Sequence, residues 1–90
     1  MEMTKMYLGL GYITKYIDDK IKENEKIIEI KFYDLVVKEN LSKEQIAEFL
    51  EFSTRRLRNL GYTIYNQGDT YKLDDEIHIV DNNLFYVAIK

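Results

Sequence analysis

Between Ser42 and Leu73 the spacing of apolar residues changes from helical to strand-like, and this change constrains the fold more than any other feature of the sequence. Ser42 stands before Lys43-Glu44-Gln45, so its hydroxyl suits a helix N-cap and Gln45 the reciprocal capping-box position. Ile46, Ala47, Phe49 and Leu50 then supply the inward face of a helix over residues 43–51. Phe52-Ser53 is read as an interruption. Ser53 or Thr54 offers a fresh N-cap for a third helix that buries Leu57 and Leu60, and Gly61 suits the left-handed position that stops it. Tyr62–Tyr65 and Thr70–Leu73 follow, two runs rich in β-branched and aromatic residues around Asn66-Gln67-Gly68-Asp69, the pattern of a hairpin.

The flanks are read by the same periodicities. Ile28, Phe32, Leu35 and Val36 recur at three- and four-residue steps and predict a helix over 25–39. Residues 76–80 and 84–89, joined by Asp81-Asn82-Asn83, predict a second, C-terminal hairpin that extends the sheet or pairs with a second subunit. The first 24 residues fit two patterns. Met6, Leu10, Ile13, Ile17 and Ile21 make a helical stripe, while Met6, Leu8, Leu10 and Tyr12 alternate as in a strand; a helix from about Ile13 is expected. Ninety residues are enough for one hydrophobic core and too few for two, so one domain is expected: an N-terminal element over 1–24, a core and hairpin over 25–73, and the C-terminal hairpin over 74–90.

Composition narrows the function. The chain has no cysteine, so disulfides and thiolate metal sites are excluded. It has no signal-sequence pattern and no apolar run long enough to span a bilayer, so a cytoplasmic protein without a membrane partner is expected. The net charge of −3 argues against a surface devoted wholly to phosphate. Its distribution is uneven, however. All three arginines, Arg55, Arg56 and Arg58, fall in four positions, and with Lys72 they face only Asp69 between residues 52 and 72.

Residues 42–62 resemble the helix-turn-helix family: Ile46, Ala47, Leu50, Phe52, Leu57 and Leu60 match its apolar pattern in order and spacing, whereas Glu51 stands where many members carry a turn glycine. The hairpin that follows at once is similar to the wing of the winged-helix subgroup. The resemblance implies an α+β fold, a winged helix-turn-helix with a three-helix core and a β-hairpin wing, to which the C-terminal hairpin is an addition. It further implies sequence-specific binding of double-stranded DNA, in a transcriptional regulator or in a plasmid- or phage-borne accessory that marks an origin of transfer or a partition site, as in relaxosomes of conjugative plasmids. Larger DNA-processing or transcription machinery would then be a partner.

The residues left over by the core suit that expectation. The free face of the third helix would present Ser53, Thr54, Arg55, Arg56, Arg58 and Asn59; arginine pairs bidentately with guanine and asparagine with adenine, and a helix start holds phosphate. Asn66, Gln67 and Thr70, with Lys72 on the supporting strand, would reach the backbone or minor groove from the wing. One such module makes few contacts, so a homodimer on two half-sites is expected, held by the N-terminal element and the C-terminal hairpin. The rival reading is a winged-helix module that binds protein and not DNA, which the net negative charge favours. No catalytic, cofactor or metal site is expected. His78 is the sole histidine and has no nucleophile or ligand spacing, Asp74-Asp75-Glu76 reads as a solvated acidic turn, and Asp18-Asp19 as a helix cap.

Overall fold

A computed structural model describes residues 2–90, with side chains from Tyr12 onward. The chain opens with helix α1 (Glu2–Lys22), which covers the helix expected from Ile13; Met6 and Leu10 lie outside the described side chains. Ile13 and Ile17 are buried one turn apart and Ile21 packs beside them. Asn24 ends the helix at φ +55°, with the Glu25 N–H donating to the Lys20 carbonyl and the Asn24 N–H to the Ile21 carbonyl, both at 3.0 Å. Asp18 and Asp19 therefore sit inside α1 and cap nothing.

The helix expected over 25–39 does not form. Ile27–Lys31 is strand β1, with Ile28 and Ile30 fully buried at period two. Three β-branched isoleucines within four residues favour extended backbone, and a distant partner strand satisfies it. Only the second half of the stripe is helical, ending in one turn of π-helix, Asp34–Lys38, that buries Leu35. Asn40 at φ +51° turns the chain, Leu41 is buried in the turn, and Ser42 begins the next helix.

Helix α2 (Lys43–Asn59) runs without a break, so the predicted pair of helices over 43–51 and 53–60 is one helix. Its capping box is present: Ser42 Oγ accepts from the Gln45 N–H at 3.2 Å, and Gln45 Oε1 accepts from the Ser42 N–H at 2.9 Å. Neither glycine nor proline interrupts residues 51–54, and the two hydroxyls there bond backwards within the helix. Thr54 Oγ1 donates to the Leu50 carbonyl at 2.7 Å and Ser53 Oγ to the same carbonyl at 3.4 Å. Gly61, at φ +99°, stops the helix as expected, with the Tyr62 N–H donating to the Leu57 carbonyl at 2.9 Å.

Among the described residues, five strands make two antiparallel sheets. Strand β5 (Leu84–Ile89) lies between β1 and β2 (Thr63–Asn66), with Ala88 opposite Ile28 on one side and Ile64 on the other. The expected C-terminal hairpin is thus absent: its second half is the central strand of the main sheet. Strands β3 (Thr70–Leu73) and β4 (Glu76–Ile79) pair with each other as a separate ribbon, so the first predicted hairpin is also corrected, β2 pairing with β5 and β3 with β4.

Cross-strand partners share a face, which assigns the two sides of the main sheet. Ile28, Ile30, Tyr86, Ala88 and Ile64 face the helices and join Ile13, Ile17, Leu35, Leu41, Phe49 and Leu57 in one core. Glu29, Val87 and Tyr65 face the other way. The β3–β4 ribbon folds over that second side, where Tyr71 packs on Tyr65 at 5.5 Å between ring centres and His78 stacks on Tyr71 at 5.3 Å. The molecule is accordingly an α+β fold with helices on one side of a three-stranded sheet and a ribbon on the other.

Candidate interaction surface

Helix α2 divides cleanly by exposure. Phe49, Ser53 and Leu57 are buried at four-residue steps, with Ile46 and Leu50 half-buried beside them. The opposite face carries Glu44, Ala47, Glu48, Glu51, Phe52, Arg55, Arg58 and Asn59. Ala47, Phe52 and Leu60 were expected to be core residues of a helix pair. In an unbroken helix they turn outward, and Phe52 leaves 68% of its surface in solvent.

The uninterrupted helix also changes what the predicted DNA-contacting residues can do. Ser53 is not at a helix start but buried in the middle of α2, where Tyr86 Oη donates to its Oγ at 2.8 Å. Thr54 is half-buried with its hydroxyl committed to the backbone. Arg55 Nη2 lies 2.8 Å from Glu51 Oε1 in an exposed pair, and Arg56 Nη1 lies 2.6 Å from Asp18 Oδ1 on α1. Asp18 Oδ1 is occluded and receives no well-angled hydrogen bond, so this second contact is ionic more than directed. Arg58 and Asn59 are exposed, and Arg58 has no ion pair among the described residues.

The residues expected in the wing fall elsewhere. The Asn66 N–H donates to Asp69 Oδ2 at 2.8 Å and Gln67 Nε2 to the Leu84 carbonyl at 3.2 Å, so both help close the end of the β2–β5 hairpin. Thr70 and Lys72 pair with Ile79 and Ile77 on the outer side of the ribbon. That side lies across the sheet from α2, so the structure brings Arg55, Arg58 and Asn59 together but not with Thr70 and Lys72.

What the sequence reading passed over is the groove beside Phe52. Thr14 and Ile17 from α1 and Phe49, Phe52 and Ser53 from α2 line a groove of about 470 Å³, with Gln45, Glu48, Glu51, Arg55 and Arg56 around it. Along α2 the carboxylates of Glu44, Glu48 and Glu51 stand at four- and three-residue steps, hence on one stripe. The signal was available in the sequence: continuing the 46-49-50-53-57 stripe through Ser53 leaves Phe52 on the acidic face.

Among the described residues, no three His, Cys, Asp or Glu side chains converge as for a metal ion, and no helix is long and apolar enough to cross a membrane. Comparison with protein-family models, with curated proteins and with solved structures finds no match to this chain.

Proposed function

We propose that this chain is a winged-helix-type module that docks a protein partner on the outward face of α2. The winged-helix part rests on element order. The short helical segment ending at Lys38, the turn through Asn40 and Leu41, and α2 form a helix-turn-helix displaced by one helix from the one the sequence suggested. Strands β2 and β5 then make the wing hairpin, and residues 67–83 its long tip, within which the β3–β4 ribbon is folded.

One observation carries the choice of partner. In a helix-turn-helix the first turns of the second helix enter the major groove, and here those turns present Glu44, Glu48 and Glu51. Carboxylates there face the phosphate field with the wrong sign. Two of the three arginines are drawn into ion pairs, and the most exposed large apolar side chain of α2 is Phe52. An acidic, aromatic face suits a protein surface. A photo-crosslinking residue at position 52 is expected to give a discrete protein adduct in the source cells, with none from the exposed strand position 63. The reading fails if the adducts are indistinguishable.

A second reading, duplex DNA binding in a regulator or a plasmid- or phage-borne accessory, draws on Arg58 and Asn59. These are exposed, and the exposed Arg55–Glu51 pair is worth under about 1 kcal/mol and is readily exchanged for phosphate. It requires affinity for a mixed-sequence duplex that falls steeply between roughly 50 and 200 mM salt, and a slope that flattens by about one unit for each of Arg55→Ala and Arg58→Ala. A salt-independent absence of binding removes it.

A further inference from the structure

We infer that the groove between α1 and α2 receives an amphipathic helix from the partner, with lysine or arginine bordering its apolar edge. The inference rests on the protein-docking reading above and specifies the occupant.

The walls decide the shape of the guest. Both are helices, Thr14 and Ile17 on one side and Phe49 and Phe52 on the other. An extended peptide gains most of its affinity from the backbone groups of a free strand edge, and this groove has none; a helix docks by side chains alone, with anchors at three- and four-residue steps. The groove has room for a few such anchors, and Phe52 stands at its lip where an arriving helix would cover it.

Charge decides the border of the guest. Glu48 and Glu51 line the groove, and Glu44 continues their stripe toward the start of α2, about 10 Å in all. Glu48 and Glu44 have no ion-pair partner among the described residues, and Glu51 has only the exposed Arg55. The other cation lining the groove, Arg56, is held by Asp18. Two glutamates and two arginines line the groove, and with Arg55 on Glu51 and Arg56 on Asp18 the charge left without a partner among the described lining residues is the carboxylate of Glu48, which Glu44 extends along α2. Cations at matching helical spacing on the partner complete these pairs, and complementarity of this kind governs encounter rate and register as much as affinity.

The test uses the full chain and three fluorescein-labelled helical peptides of about five turns. One has a leucine edge flanked by lysines, one has glutamates in place of those lysines, and one is a scramble of the first that destroys the apolar edge. Anisotropy is expected to show binding of the lysine peptide, with the other two at least roughly tenfold weaker. Phe52→Glu should reduce binding of the lysine peptide by roughly tenfold or more, and Glu48→Lys should weaken the lysine peptide while strengthening the glutamate one. Position 52 and position 48 are both exposed, and far-ultraviolet circular dichroism confirms that each variant stays folded. Equal binding of all three peptides, no binding of any, or indifference to both substitutions overturns the inference. Self-association of the chain that Phe52→Glu abolishes also overturns it, since the occupant is then a second copy. The crosslink at position 52 reports separately on the docking reading, which survives if only the peptide result fails.

Discussion

Tyr86 and Ser53 show how a single residue holds the layers together. Tyr86, almost wholly buried on the central strand, donates to Ser53 Oγ at 2.8 Å, and Ser53 donates onward to the Leu50 carbonyl. The two ends of this link are not equivalent. Ser53→Ala leaves a buried phenol without an acceptor and should cost about 1–3 kcal/mol, whereas Tyr86→Phe removes the donor that needed satisfying and should cost about 0.5–1.5 kcal/mol. Urea denaturation ranks the two, and the reverse order would refute this account of the link. Burial, partly offset by the Ser53 hydrogen bond, pushes the Tyr86 phenol up to about 12. An unfolded tyrosine titrates near 10, so between those values the unfolded chain releases a proton that the folded chain keeps, and stability falls as pH rises. Full below pH about 10, this contribution of about 2–3 kcal/mol is gone above about pH 12. In Tyr86→Phe the alkaline limb of the melting temperature should flatten; an unchanged limb places its origin elsewhere. In the sequence Ser53 reads as a helix start and a phosphate contact, because its burial depends on Tyr86, which is thirty-three residues away.

The elements were legible where their ends are encoded locally. Ser42 and Gln45 start α2 and Gly61 stops it through bonds that span at most five residues, and both ends were read correctly. Where the partner is distant, periodicity misled. Ile28, Leu35 and Val36 fit a helical stripe as a set, yet Ile28 and Ile30 answer to β5, far away in the chain, and become strand. Similarly, serine and threonine at 53 and 54 are good caps at a helix start, but without a glycine or proline to break α2 they bond back to Leu50 instead. The β3–β4 turn was legible only as an acidic loop. Asp74 and Asp75 both hold positive φ, at +50° and +67°, the geometry of a two-residue turn that favours glycine second. Asp75→Gly relieves that conformation and one carboxylate of an acidic trio, and is expected to stabilise the chain by up to about 1 kcal/mol. A lower thermal midpoint for this variant would contradict the turn geometry.

For the whole molecule, the decisive fact is that the last strand in sequence is the central strand in space. β1 and β2 do not touch as neighbours; each is held by β5, through registers that pair Ile28 and Ile64 with the same Ala88. The helices pack on the face that these three strands make, so the core that unites α1, α2 and the sheet does not exist until β5 is in place. Such long-range pairing defers most of the reward of folding until a large loop has closed, which slows folding and makes it cooperative. A chain ending at Asn83 keeps every residue of α2 and of the β3–β4 ribbon but loses buried Tyr86, Val87 and Ala88. Two unpaired strand edges and an uncovered helix face are then left to water. This truncated chain is expected to lack a cooperative thermal transition and to bind an apolar dye, whereas the full chain melts in one step. Retention of a single sharp transition without β5 would mean that the helices and ribbon fold independently, and that the face of α2 is positioned by something other than the sheet beneath it.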